Sequence, residues 1–221
     1  MKKCRILIFI LGLCILSNLH VHADEKDNIL VGAFSQQTLE GWESKKFVNE
    51  TTYSLVMVDG NMVLKAGSQN SASGLIKKIR VDLEKFPVLN WRWRIENRLA
   101  GTFDEKQKSG DDYAARIYVV VSGGIAVWNT RAMNYVWAKN SLKGDVWPNA
   151  FAKKNAVMVA LQSSQAPVSV WHAEKRNIHE DFKKYFGKKI RFIDAVVLMS
   201  DTDNTKKTVT AYYGDIYFST R

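Results

Sequence analysis

Alternation of apolar and polar residues is the prevailing pattern along the chain. In "VLNWRWRIEN", Leu89, Trp91, Trp93 and Ile95 interleave with Asn90, Arg92, Arg94 and Glu96. That period of two suits a strand with one buried and one solvated face. "YSLVMVDGNMVLKA" places two apolar runs around Asp59-Gly60, the dipeptide favoured in a two-residue hairpin turn. Further strand patterns cover residues 74–81, 113–121, 133–137, 157–162, 168–174, 192–199 and 209–218. One segment departs from the period. "NIHEDFKKYFG" predicts a short helix over 178–186, with Asn177 as its cap, Glu180 and Asp181 in its first turn and Gly187 beyond its end. Ile178, Phe182, Tyr185 and Phe186 then share a face that docks on a sheet. Many short strands with one helix predict an all-β fold, a β-sandwich of the jelly-roll kind. The βα alternation of a doubly wound fold is missing.

The N-terminus changes the picture of where this sandwich works. Met1-Lys2-Lys3-Cys4-Arg5, the apolar run 6–16 and Val21-His22-Ala23 form the basic, apolar and small-residue parts of a secretory signal. The apolar run is too short to span a bilayer comfortably, so cleavage after Ala23 is expected and no transmembrane segment remains. A periplasmic or secreted protein follows, with residues 24–221 as one monomeric domain. Both cysteines, Cys4 and Cys14, fall in the signal, so the mature chain depends on its core rather than on disulfides. Loss of Lys2, Lys3 and Arg5 lowers the formal charge from +10 to +7. That surplus suits an acidic envelope glycan or lipid headgroups. Export and the absence of a dense Arg/Lys block exclude nucleic acid as the expected partner.

The segments "GDDYAARIYVV", "NYVWA", "AEKRNIHEDFKKYFG", "LMSDTDNT" and "AYYGDIYF", together with "NWRWRIEN", resemble the bacterial domain of unknown function 3047. The resemblance runs from about Phe34 to Ser219 and implies an exported bacterial protein without an established activity. The N-terminal half, with Phe34, Trp42, "SASGL" and the tryptophan-rich strand, is also similar in a diffuse way to jelly-roll carbohydrate-binding modules.

Candidate chemistry comes from strand parity. Asp112, Arg116 and Tyr118 fall opposite the apolar side of their strand, and Arg92 and Arg94 opposite Trp91 and Trp93. His172, Glu174 and Arg176 share one side of "VWHAEKRN". If these strands are neighbours, Arg92, Arg94, Asp112, Arg116, Glu174 and Arg176 make one polar face, with Trp137 or Trp171 to stack on a sugar. A solvated face crossed by weak salt bridges is the alternative. Asp201-Thr202-Asp203-Asn204-Thr205 offers Asp201 and Asp203 to a calcium ion, although the EF-hand positions hold Lys206 and Tyr212 instead of Gly and Glu. A self-bonded turn is the other reading of that loop. Trp147-Pro148-Asn149 reads as an exposed turn. No Gly-x-Ser-x-Gly, His-Glu-x-x-His or mature cysteine is present, so non-catalytic binding of a carbohydrate or cell-envelope glycan is expected. A calcium-dependent glycan hydrolase or lyase and a structural partner in envelope assembly are its two rivals.

Overall fold

The structure, a computed structural model, describes residues 28–221, so the expected signal segment over 1–23 and both cysteines lie outside the described residues. In chain order the strands of the first half are β1 (Asn28–Gly32), β2 (Trp42–Val48), β3 (Thr52–Val58), β4 (Asn61–Gln69), β5 (Ala72–Asp82) and β6 (Val88–Ile95). β7 (Arg116–Val121), β8 (Arg131–Trp137), β9 (Val146–Asn149) and β10 (Lys153–Gln162) follow. β11 (His172–Asn177), α1 (Ile178–Phe186), β12 (Phe192–Asp201), β13 (Thr208–Tyr213) and β14 (Ile216–Ser219) complete the chain.

These strands form two seven-stranded sheets that face each other as a β-sandwich. The first sheet, A, runs β1-β14-β6-β13-β4-β3, with β11 on the other side of β6. The second, B, runs β2-β5-β12-β7-β8-β10-β9. Most neighbours are antiparallel; β8 and β10 are parallel. The expected strand over 209–218 is broken at Gly214-Asp215, where Asp215 accepts from the backbone N–H of Ser35 at 2.8 Å. The break lets β13 pair with β4 and β14 with β1.

Period-two patterning puts the large rings between the sheets. Trp91 and Trp93 meet edge to face at 5.5 Å, Trp91 lies 5.6 Å from Tyr135, and Trp93 lies 6.0 Å from Trp137. Each such ring removes about 150–250 Å² from water, roughly 4–6 kcal/mol of gross transfer energy before chain entropy is charged against it. The β3–β4 turn is the expected one: Asp59 and Gly60 have φ of 50° and 75°, the positive values a twisted two-residue hairpin needs. The helix also forms as read. Asn177 Oδ1 accepts from Glu180 N at 3.0 Å, and Gly187 closes α1 at φ 65°.

Three further expectations fail. The strand placed over 113–121 begins only at Arg116, and residues 111–115 are irregular. The strand placed over 168–174 begins only at His172, because Pro167 and the positive φ of Ser169 (59°) hold the chain in a turn. Trp147 is not an exposed turn residue. It lies in β9, only 6 % exposed, packed with Tyr113, Val136 and Met158 in a second apolar cluster on the outer side of sheet B.

Candidate functional site

The expected single polar face is divided by the fold. β6 and β11 are neighbours, but Glu174 pairs with Trp91, His172 with Trp93 and Arg176 with Leu89. Directly paired residues share a face, so Glu174, His172 and Arg176 turn towards the core side of the sheet, away from Arg92 and Arg94. Glu174 Oε1 there accepts from Trp93 Nε1 at 3.1 Å and Gln162 Nε2 at 2.7 Å. Arg176 Nε donates to Asp181 Oδ2 at 2.9 Å, and the same oxygen accepts from the Tyr135 hydroxyl at 2.6 Å. Inward charges on an edge strand discourage pairing with another chain. Trp137 is buried at 3 % and donates to Ser163 O, so it is a core ring bordering a small cavity of about 200 Å³ near Arg98 and Lys139.

Arg92 and Arg94 stay on the outer face of sheet A. The Arg92 guanidinium lies 4.7 Å from the Trp171 ring, and Trp171 Nε1 donates to Asp59 Oδ2 at 3.2 Å. Arg94 bonds the same oxygen at 3.0 Å and Glu96 at 2.6 Å. Burial alone would raise the Glu96 carboxyl, but bonds from Arg94 and Ser169 hold it below the usual range. Trp171 therefore already has a cation on its ring and an acceptor on its nitrogen.

Arg116 opens β7 of sheet B, Asp112 lies in the irregular segment just before it, and a second candidate site forms there. On its outer face a groove of about 510 Å³ is lined by residues from both ends of the strand order, Phe47 of β2 and Phe151 beyond β9 among them. A sheet whose two flanks line one cavity is curled, and its outer face is concave. Phe47 sits where the β2–β5 register shifts between Lys46 and Val48, so a bulge aims its ring at the rim. Phe47 is 63 % and Phe151 54 % exposed. Tyr118 and Met199 form an apolar patch between these rims, with Asn134 and Asn149 beside them.

The floor is ionic. Arg116 Nη2 donates to Asp201 Oδ2 at 2.7 Å, and Nη1 lies 4.0 Å from Asp111 Oδ2, all three residues being buried. Arg116 lies between the rings of Tyr113 and Tyr118, 5.2 and 4.9 Å from their centroids, and its Nε has no hydrogen-bond acceptor. Burial disfavours the Arg116 charge, but Asp201, Tyr118, Asp111 and Tyr113 together more than offset this and the guanidinium holds its proton more tightly than usual. Burial pushes the Asp201 carboxyl well above the usual range against the pull of Arg116, and burial likewise raises Asp111. Asp203, at the groove edge, is raised by burial and by Asp112.

Asp112, Asp201 and Asp203 bring carboxylate oxygens within 4.8 Å of one another, a geometry that adds Asp112 to the two calcium ligands proposed from sequence. The oxygens are already engaged. Asp112 accepts from Asn204 N at 3.2 Å, Asn204 Nδ2 at 3.1 Å and Thr205 N at 2.6 Å, which shapes the 201–205 loop. Asp201 holds Arg116. Calcium takes six to eight oxygens, and this set would have to release a buried guanidinium and the loop backbone to supply them. The donor set fits a closed ion-paired turn better than a cation cradle.

Sequence reasoning reached Arg116 and Tyr118 through parity but missed Phe47, Phe151, Asn134 and Asn149. Glu105 was missed as well. It is fully buried, and its carboxylate accepts from the backbone N–H groups of Lys139, Asn140 and Ser141 at 2.6, 3.1 and 2.6 Å, which fixes the 99–110 segment to the loop after β8.

The chain belongs to the family described as protein of unknown function DUF3047, whose model matches residues 40–217. No curated protein matches it in sequence. Among solved structures it is similar to the family 30 carbohydrate-binding module of the cellulosomal cellulase Cel9D-Cel44B of Clostridium thermocellum. The TM-score is 0.51 at 10% identity, over 88% of this chain and 98% of that one. It is also similar to the cellulose induced protein Cip1, with a TM-score of 0.44 at 8% identity, over 81% of this chain and 91% of that one. At these identities the first likeness establishes the sandwich fold.

Proposed function

We propose that this member of the family binds a neutral oligosaccharide non-covalently in the concave groove of sheet B, as an exported single-domain protein of the cell envelope or its surroundings. The observation that carries this reading is the pair of exposed rings, Phe47 and Phe151, on opposite rims above a polar floor. Flat apolar rings pack on the apolar faces of sugar rings, while fixed polar groups between them orient hydroxyls. The carbohydrate-binding module with the same fold supports the ligand class.

The floor disfavours an acidic glycan. Asp201 and Asp111 flank the guanidinium of Arg116, which Asp201 already engages, and Asp112 and Asp203 lie beside Asp201. A uronic carboxylate would enter a site of its own sign. Soluble neutral and uronic oligosaccharides titrated into the protein test this directly. Phe47→Ser and Phe151→Ser should each weaken neutral-glycan binding roughly tenfold and leave the melting temperature within a few degrees. Equal binding by both variants, or preference for uronic chains, would defeat the reading.

Glycan cleavage has one observation in its favour. Asp203 is half-buried at the groove edge with its proton affinity raised, a condition suited to a general acid. New reducing ends or unsaturated products in the same titrations would establish that second reading.

A further inference from the structure

The hairpin tip joining β7 to β8, residues 122–130, has an unusual combination of order and exposure. Ile125 is 101 % exposed, Trp128 70 % and Val127 69 %. Collapse of a floppy loop does not explain this, because the tip is bonded to itself. Ala126 N donates to Gly123 O at 3.1 Å, Asn129 N to Ala126 O at 2.7 Å and Thr130 N to Val127 O at 3.0 Å. Gly123 N donates to Thr130 Oγ1 at 3.1 Å. A Cβ at Gly123 would lie 2.1 Å from Ala126 O, so only glycine permits this fold-back. The conformation holds three large apolar side chains in water when a looser loop could hide them.

The base of the tip is cationic. Arg131 donates to Trp128 O at 3.3 Å and to Thr130 O at 3.2 Å. Asn155 Nδ2 donates to Trp128 O at 2.9 Å, which brings the exposed Lys153 and Lys154 alongside. Across the tip, Asp194 Oδ2 accepts from Ser122 N at 2.8 Å while its other oxygen pairs with Arg80 at 3.3 Å. Asp194 is thus already spent on the backbone and on Arg80, and Arg131, Lys153 and Lys154 form a positive collar below an apolar point.

We infer that this tip is a lipid-docking loop, seating Ile125, Val127 and Trp128 in the interfacial layer of an anionic bilayer with the collar against its headgroups. Tryptophan favours the headgroup level, aliphatic side chains favour the acyl boundary, and lysine and arginine near the surface are drawn by anionic lipid. Among the described residues no helix is long and apolar enough to cross a membrane. The docking does not rest on the groove reading: Ile125, Val127 and Trp128 lie outside the groove's lining, although Ala132 and Phe151 of that lining neighbour the collar.

The test is co-sedimentation of the full mature chain with vesicles of phosphatidylglycerol and phosphatidylcholine, against phosphatidylcholine alone. Binding should need the anionic lipid and weaken with added salt. Ile125→Ser with Trp128→Ser should lower partitioning roughly tenfold or more at unchanged melting temperature. Lys153→Glu with Lys154→Glu should lower it while leaving the apolar point intact. Equal binding to neutral vesicles, no binding to either, or full binding by both double variants would overturn the inference. So would a concentration-dependent dimer that the Trp128→Ser change abolishes, since the tip would then be covered by a second copy.

Discussion

Removing the Arg116 cation should expose how the groove floor is held together. Arg116→Met keeps an unbranched chain and the packing against Tyr113 and Tyr118 but leaves Asp201 and Asp111 buried without their guanidinium. Breaking a buried pair by deleting one partner costs about 3–5 kcal/mol, because a desolvated charge remains. For a chain of this size that is roughly a 6–20 °C fall in melting temperature. The pH dependence carries a sign. Asp201 already has a folded-state proton affinity raised by burial, so its folded form binds protons more readily than the unfolded chain. Stability from that group is gained as pH falls below its folded pKa and lost as pH rises through it. Without Arg116 the affinity rises further, so the penalty should be largest near neutrality and shrink in mild acid, by up to about 1.4 kcal/mol per pH unit for one group. Urea unfolding of both proteins at several pH values between about 5 and 8 measures it. Arg116→Met combined with Asp201→Asn should be more stable near neutrality than Arg116→Met alone. A loss under about 1 kcal/mol, a flat pH profile, or a double variant less stable than the single one would refute the ion-paired floor.

Glu105→Ala should cost about 3 kcal/mol or more in urea unfolding, since it strands three backbone donors, while Glu105→Gln should recover part of that loss. Glu174→Leu should lower stability by about 1–3 kcal/mol by orphaning Trp93 Nε1 and Gln162 Nε2, yet leave glycan affinity in the same titrations unchanged because the side chain faces inward. Asn177→Ala should cost about 1 kcal/mol through the lost cap on α1, read as a lower urea midpoint at constant slope.

What was legible in the sequence was local. Asp59-Gly60, Asn177 and Gly187 each act on the few residues beside them, and each stands where its conformational preference puts it. The strand over 88–95 was legible because its alternation is strict and its tryptophans leave only one face for the core. Pairing across the sheet is a different kind of information. β11 joins β6 with Glu174 opposite Trp91, and a one-residue slip would have turned Glu174 outward beside Arg92. Parity within each strand cannot decide that register. The bulge at Phe47 is equally silent, since it exists only relative to β5. Trp147 misled for a related reason: Pro148 beside it suggests a turn, but an edge strand tolerates proline, and β9 is the edge of sheet B.

The acidic loop after β12 shows how the same residues change meaning once their neighbours are known. Read alone, Asp201 and Asp203 at alternate positions suggest ligands for a cation. In the fold the cation is supplied by the chain itself, as Arg116, and Asp112 from another segment takes over the backbone of the loop. The cost of burying those charges is met only if the loop, the start of β7 and the end of β12 are all in place. That cooperativity holds the floor in one arrangement, which suits the proposed hydroxyl-rich ligand, because little entropy is then lost in ordering the site. The exposed rims can remain simple aromatic rings. The expected consequence is a division of labour: rim substitutions change glycan affinity without changing stability, and floor substitutions change stability first, with affinity following only as the groove loosens.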